Sequence, residues 1–194
     1  MSEDEVVSPI PARLVLREAT RAAHERLHGL PEFASLAAGT LDLAGYVALL
    51  SHLFGFHAPM EEAVADALGH TLDPHAWQRV HLLRADLATL GVHDPDPLPR
   101  VEPPFFGKPG ALGVLYVIEG STLGGRQLAR QLNPLLDGTA SRRFLLGGNE
   151  PGHLRWRTLC AMLDRVGADQ ACLDGMVAGA IGTFATFERW FADR

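Results

Sequence analysis

The sequence predicts an all-α, single-domain protein, and three observations carry that prediction. Apolar residues recur at helical spacing through every long segment, no run alternates apolar and polar residues as a half-buried strand does, and Gly and Pro fall between the periodic stretches. A chain of 194 residues fits one domain with a sizeable core.

In chain order, residues 1–11 form an acidic lead-in broken by Pro9 and Pro11 and open to disorder, ahead of a helical domain over 12–194. Residues 12–28 carry Leu14, Leu16, Ala19, Ala23 and Leu27 on the faces of an amphipathic helix that Gly29 and Pro31 stop. Residues 40–68 form a longer helix with Leu43, Val47, Leu50, Phe54, Met60 and Val64, which Pro59 kinks or divides. Asp73 as N-cap and Pro74 at the first helical position open a third helix that runs through Leu90 to Gly91. Residues 93–108, with prolines at 95, 97, 99, 103 and 104, have no room for a regular element. A glycine-rich helix spans 109–133. A turn over 134–141, a short segment at 142–146 and the connector GGNEPG lead to two last helices, 154–166 and 168–192.

Composition limits the function classes. With 47% hydrophobic and 21% charged residues the chain is globular rather than disordered. A net charge of -6 argues against nucleic acid as the main partner, because phosphate binding needs a basic surface. No run of about 18 apolar residues predicts a membrane span, and the N-terminus lacks the pattern of a secretory signal. Cys160 and Cys172 form neither a CxxC pair nor a zinc spacing and read as reduced thiols of a cytoplasmic protein, with a single disulfide between them left open.

The glycine-rich helix contradicts itself. Leu112, Leu115, Tyr116, Val117, Leu123, Leu128 and Leu132 keep a roughly helical period, while Gly110, Gly113, Gly120, Gly124 and Gly125 interrupt it. Each glycine costs about 1 kcal/mol of helicity relative to Ala. Gly120 and Gly124, four apart, strip one helix face of side chains. Such a face admits either a neighbouring helix or a planar ligand.

The first helix carries His24 and His28 four apart, with His24 on the face of Thr20 and Leu27. A helical His is commonly a surface or satisfied core residue. A neutral imidazole on a rigid helix also suits heme iron, provided its second nitrogen is held. HERLH matches the zinc-protease pattern HExxH through His24, Glu25 and His28, but the extended form needs Gly and His where Pro31 and Ala34 stand. Glu61 and Glu62 lack the paired ExxH motifs of a di-iron bundle.

Four stretches together, LREATRAAHERLH, YVALLSHLFGFHAPMEE, LRADLATLG and LGVLYVIEGSTLGGRQL, resemble the bacterial heme oxygenase family in order and separation over nearly the whole chain. The likeness is greatest to the soluble, bacteriophytochrome-associated type. The resemblance implies an all-helical fold holding heme b between a proximal helix and a kinked distal helix, with heme as both substrate and cofactor. It implies a reaction of heme, O2 and electrons from an external ferredoxin- or flavoprotein-type donor, yielding biliverdin, CO and Fe2+. A bilin-accepting phytochrome is a further implied partner. His24 matches the proximal iron ligand, and Gly120 and Gly124 the distal glycines, with Gly125 beside them. Arg17 and Tyr116 match propionate-binding positions, and Thr20 shares the His24 face. Ser121 stands where mammalian-type members carry an Asp that orders the distal water, so its hydroxyl takes that role or bonds back to the helix. Phe184 and Phe187 either line the pocket or belong to the core. Arg142, Arg143, Arg155 and Arg157 are candidates for a second propionate partner or a donor-docking patch, with solvated surface as the plain reading. His52, His57 and His81 read as packing or surface residues. The alternative to a heme oxygenase is a non-catalytic heme-binding or carrier protein of the same fold.

Overall fold

The computed structural model describes residues 10–69, 73, 76–104, 107–132, 141–147 and 152–192, and among them the only regular elements are helices. They are α1 (Ala12–Leu27), α2 (Pro31–Ala38), α3 (Leu43–Leu68), α4 (Val80–Thr89), α5 (Lys108–Gln131), α6 (Arg143–Leu146), α7 (Gly152–Val166) and α8 (Gln170–Ala192). The expected turn over 134–141 and the GGNEPG connector fall largely outside the described residues, as does most of the lead-in.

Two boundaries differ from the sequence expectation. Pro31, read as the stop of the first helix, also starts α2, which ends on Gly39 in the left-handed region at φ 69°. α4 starts at Val80 rather than at Pro74, which lies outside the described residues. The Asp73 carbonyl accepts from the Ala76 N–H at 3.2 Å. The true cap comes from another helix: the Glu61 carboxylate on α3 accepts the N–H groups of Arg79 (2.8 Å) and Val80 (3.0 Å). An N-cap side chain normally lies just upstream, so sequence proximity gave no hint of this one.

Pro59 neither ends nor divides α3. A helical proline leaves the carbonyl four residues earlier without its donor. That carbonyl, on Gly55, accepts instead from the Val101 N–H at 2.9 Å, which straps the proline-rich loop onto the helix. The absence of a side chain at Gly55 is what lets the loop approach, since a Cβ there would strike the Pro99 carbonyl.

α8 packs against both α5 and α1, while α3 packs on α4 and α5. Leu16, Leu49, Phe54, Leu83, Leu159 and Leu163 are fully buried between these helices. Each contributes about 1.5–3 kcal/mol through removal from water. α8 is therefore the floor of a groove whose two walls are α1 and α5.

Candidate functional site

The walls meet at Thr20 and Tyr116. Thr20 is buried and donates its hydroxyl proton to the Leu16 carbonyl at 2.8 Å, and the Tyr116 phenol lies beside it. Burial pushes the phenol above its ordinary range, so it is neutral at physiological pH, and the Arg17 charge acts on it in the opposite sense. One turn further along α1 lies His24; one turn further along α5 lies Gly120.

His24 is exposed toward the groove side of α1, with its ring 6.3 Å from the buried Phe184 ring of α8 and 4.9 Å from His28. Partial burial, followed by the neighbouring His28, holds its pKa below the ordinary imidazole value. The imidazole is thus neutral at pH 7, the form that binds a metal. Thr20, His24, Tyr116 and Phe184 form one neighbourhood, with Arg17 at its edge.

The glycines of α5 divide into two groups. A Cβ on Gly113 would collide with the Met176 carbonyl of α8, and one on Gly125 with the Leu145 carbonyl of α6. These two are helix-packing glycines, which takes Gly125 out of the ligand surface expected for it. A Cβ on Gly124 would meet nothing within 4 Å, and one on Gly120 only the Trp156 ring at 3.6 Å, an ordinary contact. The bare face is open at Gly124 and bounded at Gly120 by the Trp156 ring alone, and no helix backbone closes on either glycine. Such a cradle fits a flat macrocycle, and a neutral His on the opposite wall fits its iron.

Ser121 is exposed and donates to the Ile118 carbonyl at 2.6 Å, bonding back to its own helix. Phe187 is away from His24, in an aromatic cluster with Phe33, Phe56 and Phe191, its ring 4.8 Å from Phe56 and stacked 4.5 Å from Phe191. It is core. Three of the four arginines are structural: buried Arg142 donates to the Ala129 carbonyl, Arg143 pairs with Asp86, and Arg155 pairs with Glu119. Arg157 remains exposed. His52 packs against Trp190 and Phe191, His57 is buried and His81 is exposed.

Trp156 was not legible from the sequence. It reaches α5 from α7, its ring 5.6 Å from Tyr116 and in contact range of Gly120, and no spacing along 154–166 distinguishes it from a core aromatic. The HERLH motif gains no third ligand: no cluster of three His, Cys, Asp or Glu suited to a metal occurs among the described residues, and Glu25 faces Arg21 at 3.8 Å. Glu61 is committed to the α4 cap, and Glu62 is exposed 3.7 Å from Arg100. Both cysteines are free, and no helix among the described residues is long and apolar enough to cross a membrane.

Comparison with known proteins is consistent with this arrangement. A family model described as Heme oxygenase matches residues 12–96. A heme oxygenase of Xanthomonas campestris pv. campestris (strain 8004) is 35% identical over 164 residues, covering 81% of this chain and 95% of that one. The NO- and CO-bound heme oxygenase of Neisseria meningitidis superposes with a TM-score of 0.74 at 21% identity, over 95% of this chain and 92% of that one. Heme oxygenase-1 of the cyanobacterium Synechocystis sp. PCC6803, solved in complex with heme, gives the same TM-score and coverage at 18% identity. The two crystal structures establish the likeness of fold.

Proposed function

From the premise that this chain belongs to the heme oxygenase family and is an enzyme that degrades heme, we propose that His24 is its proximal iron ligand and the open face of Gly120 and Gly124 its distal surface. The observation that carries the assignment is the division of the α5 glycines: close backbone packing explains Gly113 and Gly125, whereas Gly124 faces open space and Gly120 meets only the edge of the Trp156 ring at an ordinary contact distance.

Heme, when bound, supplies the iron and the ring that O2 and reducing electrons convert to biliverdin, CO and Fe2+. His24 offers that iron a neutral nitrogen, which donates less electron density than a cysteine thiolate. Gly120 and Gly124 would leave room for a flat ring against the α5 backbone, Trp156 bounds that side beside Gly120, and Phe184 gives an apolar surface beside His24. Arg17 and the Tyr116 phenol offer donors to the propionates, and fixing the propionates fixes which ring edge faces the distal helix. The Ser121 hydroxyl gives its proton to Ile118, so toward the distal side it can only accept. It holds a water by its lone pairs rather than by donation. Electrons come from a ferredoxin- or flavoprotein-type donor in the cytoplasm, and a bilin-accepting phytochrome is a partner for the product.

The test is hemin added to the purified protein, followed by ascorbate or reduced ferredoxin in air with catalase present. Wild type should lose its Soret band as biliverdin absorption grows. A Soret band that persists would identify a heme carrier instead. His24→Ala should change the axial-ligand signature of bound hemin, and an unchanged spectrum would transfer the ligand role to another histidine.

A further inference from the structure

α7 packs on both walls of the groove and is tied to each by an ion pair, Asp164 to Arg13 of α1 and Arg155 to Glu119 of α5. Glu119 is buried and directly precedes Gly120, so the second pair fixes α7 to α5 at the level of the open glycines. Trp156 is the residue after Arg155, and this pair carries it to the same level.

The indole has two neighbours on α5. Its ring lies 5.6 Å from the Tyr116 ring at a tilt of 41°, and the edge of its six-membered ring would meet a Cβ on Gly120 at 3.6 Å. Tyr116, Gly120 and Gly124 follow one another at four-residue spacing along one helix face. Trp156 therefore covers the Tyr116 end of that face, reaches Gly120 with the rim of its ring and leaves Gly124 open. It is half-buried, so part of the indole faces away from the core. The open strip of α5 begins where this rigid ring ends.

We propose that Trp156 is a specificity-determining residue for heme: its ring is the stop against which the edge of the macrocycle rests, and so it sets which meso carbon is presented for cleavage. The inference rests on the heme reading of the groove given above. A heme ring is nearly four-fold symmetric apart from its peripheral groups, so a turn within its plane changes the meso carbon at the distal face and costs little buried area. Ligation through one histidine leaves that turn free, because a single axial bond fixes no angle in the ring plane. Orientation must come from the periphery. Arg17 and Tyr116 offer attraction to the propionates, and an indole beside Tyr116 excludes the other orientations by its volume. Discrimination by exclusion shows itself when the obstacle is removed: affinity changes little, and arrangements that clashed become allowed.

The experiment is proton NMR of the full chain loaded with hemin and cyanide, in which the shifted ring-methyl signals report the in-plane orientation, together with chromatographic separation of the biliverdin isomers after turnover. Trp156→Ala should gain a second orientation populated to within about ten-fold of the first, and its isomer ratio should shift in parallel. Its hemin affinity should fall by less than about ten-fold, the worth of one aromatic contact. Trp156→Phe keeps an aromatic ring of smaller reach and should lie between Trp156→Ala and wild type. Trp190→Phe, a change at a ring that packs on His52 of α3, should keep the wild-type pattern. A wild-type methyl pattern and isomer ratio in Trp156→Ala, with hemin still ligated by His24, would overturn the proposal, as would an equal shift in Trp190→Phe. The axial-ligand signature of the same samples reports separately on the heme site: ligation that does not depend on His24 would overturn that reading and this one with it.

Discussion

Gly113 and Gly124 are the same residue type in the same helix, and alanine at the two positions should act in opposite directions. At Gly113 the new methyl group drives into the Met176 backbone, which no side-chain rotation relieves. Overpacking of that kind costs about 1–3 kcal/mol. At Gly124 the methyl group enters open space, so only the helix-propensity gain of up to about 1 kcal/mol remains. Heme-free Gly124→Ala should therefore melt about 2–4 °C above wild type, and Gly113→Ala below it. Hemin affinity should fall in Gly124→Ala and hold in folded Gly113→Ala. Scanning calorimetry and hemin titration check both, and full hemin affinity in Gly124→Ala would remove that face from the site. Sequence spacing identified the pair that shares a helix face but gave no means of separating open glycines from packing ones, because the partners Met176 and Leu145 lie far along the chain. Helical spacing put His24 on the face of Thr20, and the structure places the two near Phe184 and Tyr116 respectively.

Between elements, the least legible contact is the Glu61 cap of α4, which takes a carboxylate out of water to satisfy two backbone donors. Burial raises its pKa from 4.5 to about 7, while burial and the Arg79 charge lower that of His57, 3.8 Å away, from 6.5 to about 3. The two oppose each other. Folded Glu61 keeps a proton that the unfolded chain releases near 4.5, so its stabilisation is full below that pH and is lost as pH rises through 7. His57 is held neutral, so its contribution is full above 6.5 and is lost as pH falls toward 3. Glu61→Gln cannot ionise and should gain on wild type as pH rises from 4.5 to 7, by at most about 1.4 kcal/mol per unit. Urea unfolding of both proteins at pH 4.5, 5.5 and 6.5 measures it; a constant difference would mean that Glu61 titrates normally. The long amphipathic helices were readable because each needs only its own periodicity. α2 was hidden by a proline that serves two helices, and the start of α4 by a cap from eighteen residues upstream.

At the scale of the whole molecule the two walls of the groove are held unequally. α5 packs along the length of α8 and also on α3 and α6, whereas α1 buries only Ala12, Leu16 and Thr20 and ends with His24 and His28 exposed. Past Thr20 its polar tie to the floor is the Arg26–Glu188 pair at 2.8 Å, and a surface pair of this kind is worth about 0–1 kcal/mol. The last two turns of α1 should therefore open locally well below the free energy of global unfolding. A ligand bound through His24 and covering Gly120 and Gly124 connects the weak wall to the strong one, and it stabilises only the closed form. Hydrogen exchange should then slow on hemin binding at residues 21–28 more than in α3 or α4. His24→Ala should lose that local slowing even where hemin still rests on the glycine face. Protection spread evenly over all helices would mean that heme is not anchored through α1, and that the groove between α1 and α5 is not where it sits.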